Sequence, residues 1–361
     1  MKLIAGLLLV LIPASAASIE ADAKRGAELF NTQHCTNCHP VAGQGQNAAP
    51  DLGQRSSREY TAAGVASRMW NHAPTMWYSM GKSNITPPKL SEGNAADLFA
   101  FFYATRYFEK KGDAGRGKKV YESKKCGQCH EAKGPGAPVT QWKSATDPLE
   151  LVLKMWNHAP QMSSAAAGKN YKWPTVSPDE LTDLLVYVQN LPANRGTTSQ
   201  FVLPAGTRGK ELLTSKGCVG CHTGAMALED KLAGRTLTDV ASAMWNHAPK
   251  MREKAQELTS DEMREILAYS WGAQFFNSKG NAAKGGKLFS SQCGACHGVA
   301  GSGAPDLSAK KGSFSTVTVV SGLWSHGPRM LKEMEAKKKK WPNLSADDIS
   351  NLVAFIDGGA K

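Results

Sequence analysis

The sequence predicts an all-α protein made of four tandem copies of one small module, arranged as two pairs. Three observations carry this expectation. A five-residue frame, C-x-x-C-H, recurs four times and uses all eight cysteines. Similar flanking residues return around each frame, which marks internal repetition. Each copy closes on a capped segment with the apolar spacing of an amphipathic helix rather than a strand. A length of 361 residues accommodates about two to four domains. The 41% hydrophobic content is that of a soluble globular chain. The net charge of +12 would by itself point to a polyanionic partner such as nucleic acid.

Residues 1–16 read as a secretory leader. Lys2 gives a positive start, Leu3 to Ile12 is apolar, and Ala14-Ser15-Ala16 is a small-residue cleavage site. The apolar run is too short to span a bilayer. The mature chain is therefore expected to be exported and soluble, in the periplasm or outside the cell, with no integral membrane anchor.

The four frames are Cys35-Thr-Asn-Cys38-His39, Cys126-Gly-Gln-Cys129-His130, Cys218-Val-Gly-Cys221-His222 and Cys293-Gly-Ala-Cys296-His297. A lone C-x-x-C suits a redox dithiol or half a zinc site. Four copies, each with its histidine, in a chain with an export leader point instead to covalent haem c. The two cysteines form thioethers with the haem vinyl groups. The next residue lies under the iron, making His39, His130, His222 and His297 the proximal ligands. No cysteine remains for a disulfide.

Upstream of each frame a glycine precedes a bulky residue by four: Gly26/Phe30, Gly117/Tyr121, Gly209/Leu213 and Gly285/Phe289. This places both one turn apart on a short first helix. Downstream come Ala49-Pro50-Asp51-Leu52, Ala137-Pro138-Val139 and Ala304-Pro305-Asp306-Leu307, while the third copy has Ala225-Met226-Ala227. Caps at Ser91, Ser177, Thr259 and Ser345 open a last helix, with Phe101, Tyr187, Tyr269 and Phe355 ten residues on. These aromatics are expected to cross the first helix of their own module.

A second signature lies between frame and last helix. Met69 to Met76, Met155 to Met162 and Met244 to Met251 read M-W-N-H-A-P-x-M, and Leu323 to Met330 is the fourth version. Two residues in it can ligate iron in every copy. One is the histidine: His72, His158, His247 and His326. The other is the closing methionine: Met76, Met162, Met251 and Met330. Of nine histidines, four are proximal and four lie here, leaving only His34.

The order of these motifs over the whole mature chain resembles four tandem class I cytochrome c domains. The resemblance implies residues 17–112, 113–195, 196–279 and 280–361 as the domains. It implies Met76, Met162, Met251 and Met330 as distal ligands, each turned toward its iron by a proline that ends the preceding helix. It also implies that the Pro50, Pro138 and Pro305 carbonyls accept a hydrogen bond from the proximal histidine. The signature tryptophans are expected in the core, or beside haem propionates.

Copies one and three resemble each other beyond the last helix, and copies two and four share Trp173-Pro174-x-x-Ser177 and Trp341-Pro342-x-x-Ser345. With the longest link at residues 192–207, this suggests dihaem pairs one–two and three–four. The expected function is electron transfer between redox proteins (other cytochromes, a reductase or a terminal oxidase) rather than catalysis. The alternatives are a cytochrome subunit of a periplasmic oxidoreductase and a haem enzyme or ligand-binding protein with one weakly ligated iron. Leader removal and eight haem propionates would lower the charge to about +3, which removes the argument for nucleic acid. The runs Lys110-Lys111, Lys118-Lys119, Lys124-Lys125 and Lys337 to Lys340 are solvated surface or a docking face for an acidic partner.

Overall fold

A computed structural model describes residues 21–41, 43–53, 61–105, 112–142, 148–194, 208–232, 235–251, 256–272, 280–299 and 301–358. The leader, Lys110-Lys111 and most of the 192–207 link lie outside these residues. The described residues are all-α, with one isolated bridge between Val41 and Gln44.

Each copy contributes a first helix, a signature helix and a last helix. In copy one these are Ala23–Thr32, Ala62–Lys82 and Glu92–Thr105. In copy two they are Ala114–Ser123, Pro148–Gly168 and Pro178–Gln189. Copy three has Gly209–Ser215, Leu237–Met251 and Ser260–Gly272. Copy four has Ala282–Gln292, Thr316–Ala336 and Ala346–Ile356.

First and last helices cross within each copy, and glycine permits the approach. A Cβ on Gly26, Gly117, Gly209 or Gly285 would strike the backbone carbonyl of Asp97, Asp183, Glu265 or Asn351. Beside the crossing, Phe30 meets Phe101 at 5.4 Å, Tyr121 meets Tyr187 at 5.8 Å and Phe289 meets Phe355 at 5.4 Å. The same last-helix position also holds the start of the first helix. Asp97 accepts from the Asp22 amide at 2.6 Å and from Arg25 Nε and Nη2 at 2.9 Å. Asp183 accepts from the Asp113 amide and from Arg116 Nε and Nη2, all at 2.8 Å. The Arg208 amide donates to Glu265 at 3.0 Å, and the Asn281 amide donates to Asn351 at 2.6 Å. The caps are where the sequence puts them. Ser177 with Glu180 and Ser345 with Asp348 form capping boxes, and Thr259 with Glu262 exchanges the same two bonds.

Two expectations are corrected. The signature proline does not end its helix. Pro74, Pro160, Pro249 and Pro328 all lie inside helices, and three of those helices run on well past the closing methionine. A helix-internal proline leaves the carbonyl four residues earlier without its amide partner. For Pro74 and Pro249 that carbonyl belongs to Trp70 and Trp245. The Trp70 carbonyl accepts from Trp341 Nε1 at 3.0 Å, and the Trp245 carbonyl from Trp173 Nε1 at 3.2 Å. Tertiary contact restores the bond that proline removes.

Those bonds also correct the pairing. Copy one packs on copy four, and copy two on copy three. The signature helix of each copy grips the residue just before the partner's last-helix cap. Asn71 exchanges two bonds with the Leu344 backbone, at 2.8 and 2.9 Å. Asn246 does the same with Val176, and Asn157 with Leu258. In copy four Ser321 and Ser325 donate to the Leu90 carbonyl. Three signature tryptophans add an indole bond: Trp70 to Pro342, Trp245 to Pro174 and Trp156 to Gln256. Trp341 stacks on Trp70 at 4.9 Å, and Trp173 lies 4.3 Å from Trp245. Each pair thus joins one copy carrying the Trp-Pro segment to one lacking it.

Replacing Trp341→Phe keeps an aromatic ring but leaves the proline-freed Trp70 carbonyl without a donor. The expected cost is about 1–3 kcal/mol. It is read as a lower denaturant midpoint, with helix circular dichroism as the probe; an unchanged midpoint would show that the bond contributes nothing.

Candidate functional site

Each C-x-x-C-H frame is a tight turn directly after the first helix. The His39, His130, His222 and His297 amides each donate to the carbonyl of the first cysteine of their own frame, at 2.9 Å. The chain enters the turn through the left-handed region in three copies, at His34 (φ 61°), Lys125 (φ 56°) and Gly217 (φ 74°). His34, the histidine outside both sets of four, has this backbone role. The eight cysteines form no disulfide. Burial pushes the first thiol of each frame up, to about 11 in Cys35, Cys126 and Cys293 and in the same direction in Cys218. A neutral thiol in apolar surroundings suits a thioether to a vinyl carbon.

The proximal rings are oriented by loop carbonyls. His39 Nδ1 lies 3.0 Å from the Pro50 carbonyl oxygen, and His297 Nδ1 lies 2.9 Å from that of Pro305. In copy two the partner is Ala137 at 3.0 Å, one residue before the expected Pro138. The Ala137 oxygen also accepts from Trp142 Nε1, so one carbonyl fixes two rings. Copy three, which lacks the proline, uses the Met226 carbonyl at 3.2 Å. With Nδ1 taken as donor, Nε2 keeps its lone pair on the far side of the ring, the form in which imidazole binds a metal.

A second histidine ring stands at nearly the same distance from the proximal ring in all four copies. His39 and His72 have ring centroids 6.3 Å apart, His130 and His158 6.3 Å, His222 and His247 6.4 Å, and His297 and His326 6.1 Å. Desolvation first, and then neighbouring positive charge, lowers the pKa of each signature histidine. The charge comes from the facing ring in His72 and His158, from Lys250 and His222 in His247, and from His297 and Arg329 in His326. The neutral form is favoured in all four. The methionines lie one helical turn further on, half-buried, and Met76 and Met162 rest against the hydrophobic cores.

The chain's residues fit a haem at each pair. Among the described residues no three His, Cys, Asp or Glu side chains gather into a metal site. Two facing imidazoles therefore need a ligand plane from elsewhere to complete an iron's coordination, and a porphyrin supplies one. The buried Trp77 and Trp324 indole nitrogens find no acceptor among the described residues. Haem propionates are acceptors of the kind they lack.

Three features escaped the sequence reading. One is the acceptor row Leu90, Val176, Leu258 and Leu344, visible only as the residue before each cap. Another is the Asp97 and Asp183 anchors. The third is the use of Lys124 and Lys216 inside their modules. Lys124 Nζ donates to the Thr175 carbonyl at 2.7 Å and pairs with Glu180 at 3.0 Å; Lys216 Nζ donates to the Glu257 carbonyl at 3.0 Å and pairs with Glu262 at 2.8 Å. These lysines tie the frame's entry turn to the last-helix cap. Lys124 is thus committed internally rather than to a docking face. Lys337 to Lys340 remain exposed.

Residues 23–103 and 114–192 match the family described as Cytochrome c, and residues 280–356 match Cytochrome C oxidase, cbb3-type, subunit III. No curated protein and no solved structure matches the chain. Copy three lies outside the matched stretches, yet it keeps the same crossing, the same frame turn and the same histidine spacing.

Lys216 and then the Thr259 backbone hold the Glu262 carboxyl below the usual carboxylate range. The tie's contribution to stability is therefore complete above the usual carboxylate range and is lost as pH falls from that range through the lowered value of the folded protein. Lys216→Met should remove about 1 kcal/mol of local stability, or roughly five-fold in amide exchange, confined to residues 209–222 at neutral pH. Unchanged exchange there would remove Lys216 from the support of the turn.

Proposed function

The chain belongs to the class I c-type cytochromes, and on that premise we propose that it is an exported tetrahaem electron carrier. The four modules are residues 17–112, 113–195, 196–279 and 280–361. In each, two cysteines anchor one haem c: Cys35 and Cys38, Cys126 and Cys129, Cys218 and Cys221, Cys293 and Cys296. His39, His130, His222 and His297 are the proximal ligands. A side chain of the signature helix occupies the sixth position. When bound, each haem supplies a one-electron iron couple.

The chain's own residues do the rest. The frame turn fixes the two thioether positions, and a loop carbonyl holds each proximal imidazole in one tautomer. The signature helix closes the opposite side, which leaves no place for a substrate at the iron. The observation that carries this reading is the fourfold recurrence of a carbonyl-anchored histidine facing a second histidine. Four equivalent closed sites suit an electron carrier better than an enzyme. The similarity of residues 280–356 to an oxidase subunit supports redox proteins as partners, a terminal oxidase among them. The exposed Lys337 to Lys340 run offers a docking face of complementary charge to an acidic partner.

Pyridine haemochrome analysis and the mass of the denatured protein should give four covalent c-type haems per chain, with the leader absent from the periplasmic form. The double variant Cys218→Ala/Cys221→Ala should keep three. Fewer than four haems in the wild type would overturn the count, and carbon monoxide binding to the reduced protein as isolated would overturn closure of the sixth position.

A further inference from the structure

Two side chains of each signature helix have the chemistry of a distal ligand, and they lie four residues apart. Resting on the haem assignment above, we propose that the distal ligands are His72, His158, His247 and His326, so that all four irons are held between two histidines.

The distances carry the assignment. Imidazole–metal bonds are about 2.0 Å, and with the ring centre roughly 1.2 Å behind each nitrogen, two imidazoles on one metal have centroids about 6.3 Å apart. The four observed separations are 6.3, 6.3, 6.4 and 6.1 Å. Two imidazoles in direct hydrogen bond would stand closer, at about 5.2 Å. The gap is that of one shared metal atom, and it repeats although the loops between frame and signature differ in length and composition. Copy three has no loop proline and anchors His222 on a different carbonyl, yet it has the same gap.

The helix works against methionine. Because it continues through the proline, His and Met at i and i+4 share a face, with the methionine one turn, or about 6 Å, further along the axis. Only one of them can stand opposite the proximal ring, and the histidine does so in every copy. The chain also fixes that histidine from the outside. In copies one to three the two residues before it, Trp and Asn, are hydrogen-bonded to the partner copy. In copy four Ser325, next to His326, takes the asparagine's place. The helix cannot slide by a turn to exchange ligands without breaking these bonds.

The ferric holoprotein, once shown to carry four haems, is examined in the near infrared and by electron paramagnetic resonance. The expected result is a fully low-spin protein that lacks the long-wavelength absorption band of a thioether–iron bond. Each single variant His72→Ala, His158→Ala, His247→Ala or His326→Ala should turn one quarter of the haem high-spin, while Met76→Leu, Met162→Leu, Met251→Leu and Met330→Leu should leave the spectrum unchanged. A thioether band in the wild type, or a high-spin quarter in a methionine variant, would overturn the assignment at that iron. Where a histidine variant does not mature, the wild-type spectrum alone decides. A shortfall in haem count would instead strike the carrier reading, so the two failures are distinguishable.

Discussion

The signature helix must face two ways at once, and the rest of the structure is arranged around that demand. Consecutive helical residues point about 100° apart, so Trp70, Asn71 and His72 look in three directions. The histidine looks toward its own frame turn. The tryptophan and asparagine look toward the partner copy. The proline two residues on would ordinarily cost about 3 kcal/mol through a lost bond and a clash. Here the carbonyl it frees is met by the partner's indole in both pairs. A defect in one copy thus becomes the acceptor for the other, and the position of each signature histidine is tied to the docking of two modules.

Much of this was readable because it is local. The C-x-x-C-H frame, the glycine one turn before a bulky side chain, and the cap with its acidic residue each occupy a few consecutive positions. Each appears in the structure as that local chemistry requires. Proline misled because its effect within a helix depends on whether something else satisfies the freed carbonyl, and here that something is Trp341 or Trp173, far away in sequence. The loop carbonyl of copy two misled by one residue for a related reason. Ala137 and Pro138 are equally able acceptors, and the choice falls to the one that Trp142 also uses.

The pairing shows where repetition ceases to inform. Copies two and four carry the Trp-Pro segment and copies one and three do not, so any pair must join one of each kind. Pairing one with two satisfies that rule as well as pairing one with four. What decides is the full set of contacts along both signature helices. The Trp77 ring lies edge-on to both Trp324 and Trp341, and Gly327 leaves it the room, since a Cβ there would strike its ring. In copy three the residue matching Trp77 is Arg252. The Trp77 contacts of the one–four pair therefore have no tryptophan to make them between copies two and three, although the other bonds of the two interfaces correspond.

Nesting the two pairs has a consequence for the least complete module. Copy three has no loop proline behind its frame, and the described part of its signature helix, Leu237–Met251, is 15 residues long. Left to its own loop, His247 would have little to hold it opposite His222. Copy two supplies the support: the Pro174 and Val176 carbonyls accept from Trp245, Ser242 and Asn246, and the Val176 amide donates back to Asn246. In return Asn157 and Trp156 grip the Leu258 and Gln256 backbone just before the last helix of copy three. The two pairs then meet through last helices, where Tyr103 of copy one lies 5.2 Å from Trp271 of copy three. The order in which modules touch is thus set by complementary tryptophans and freed carbonyls rather than by order along the chain. A chain of one-electron sites arranged this way need not pass electrons in the order in which its motifs are written.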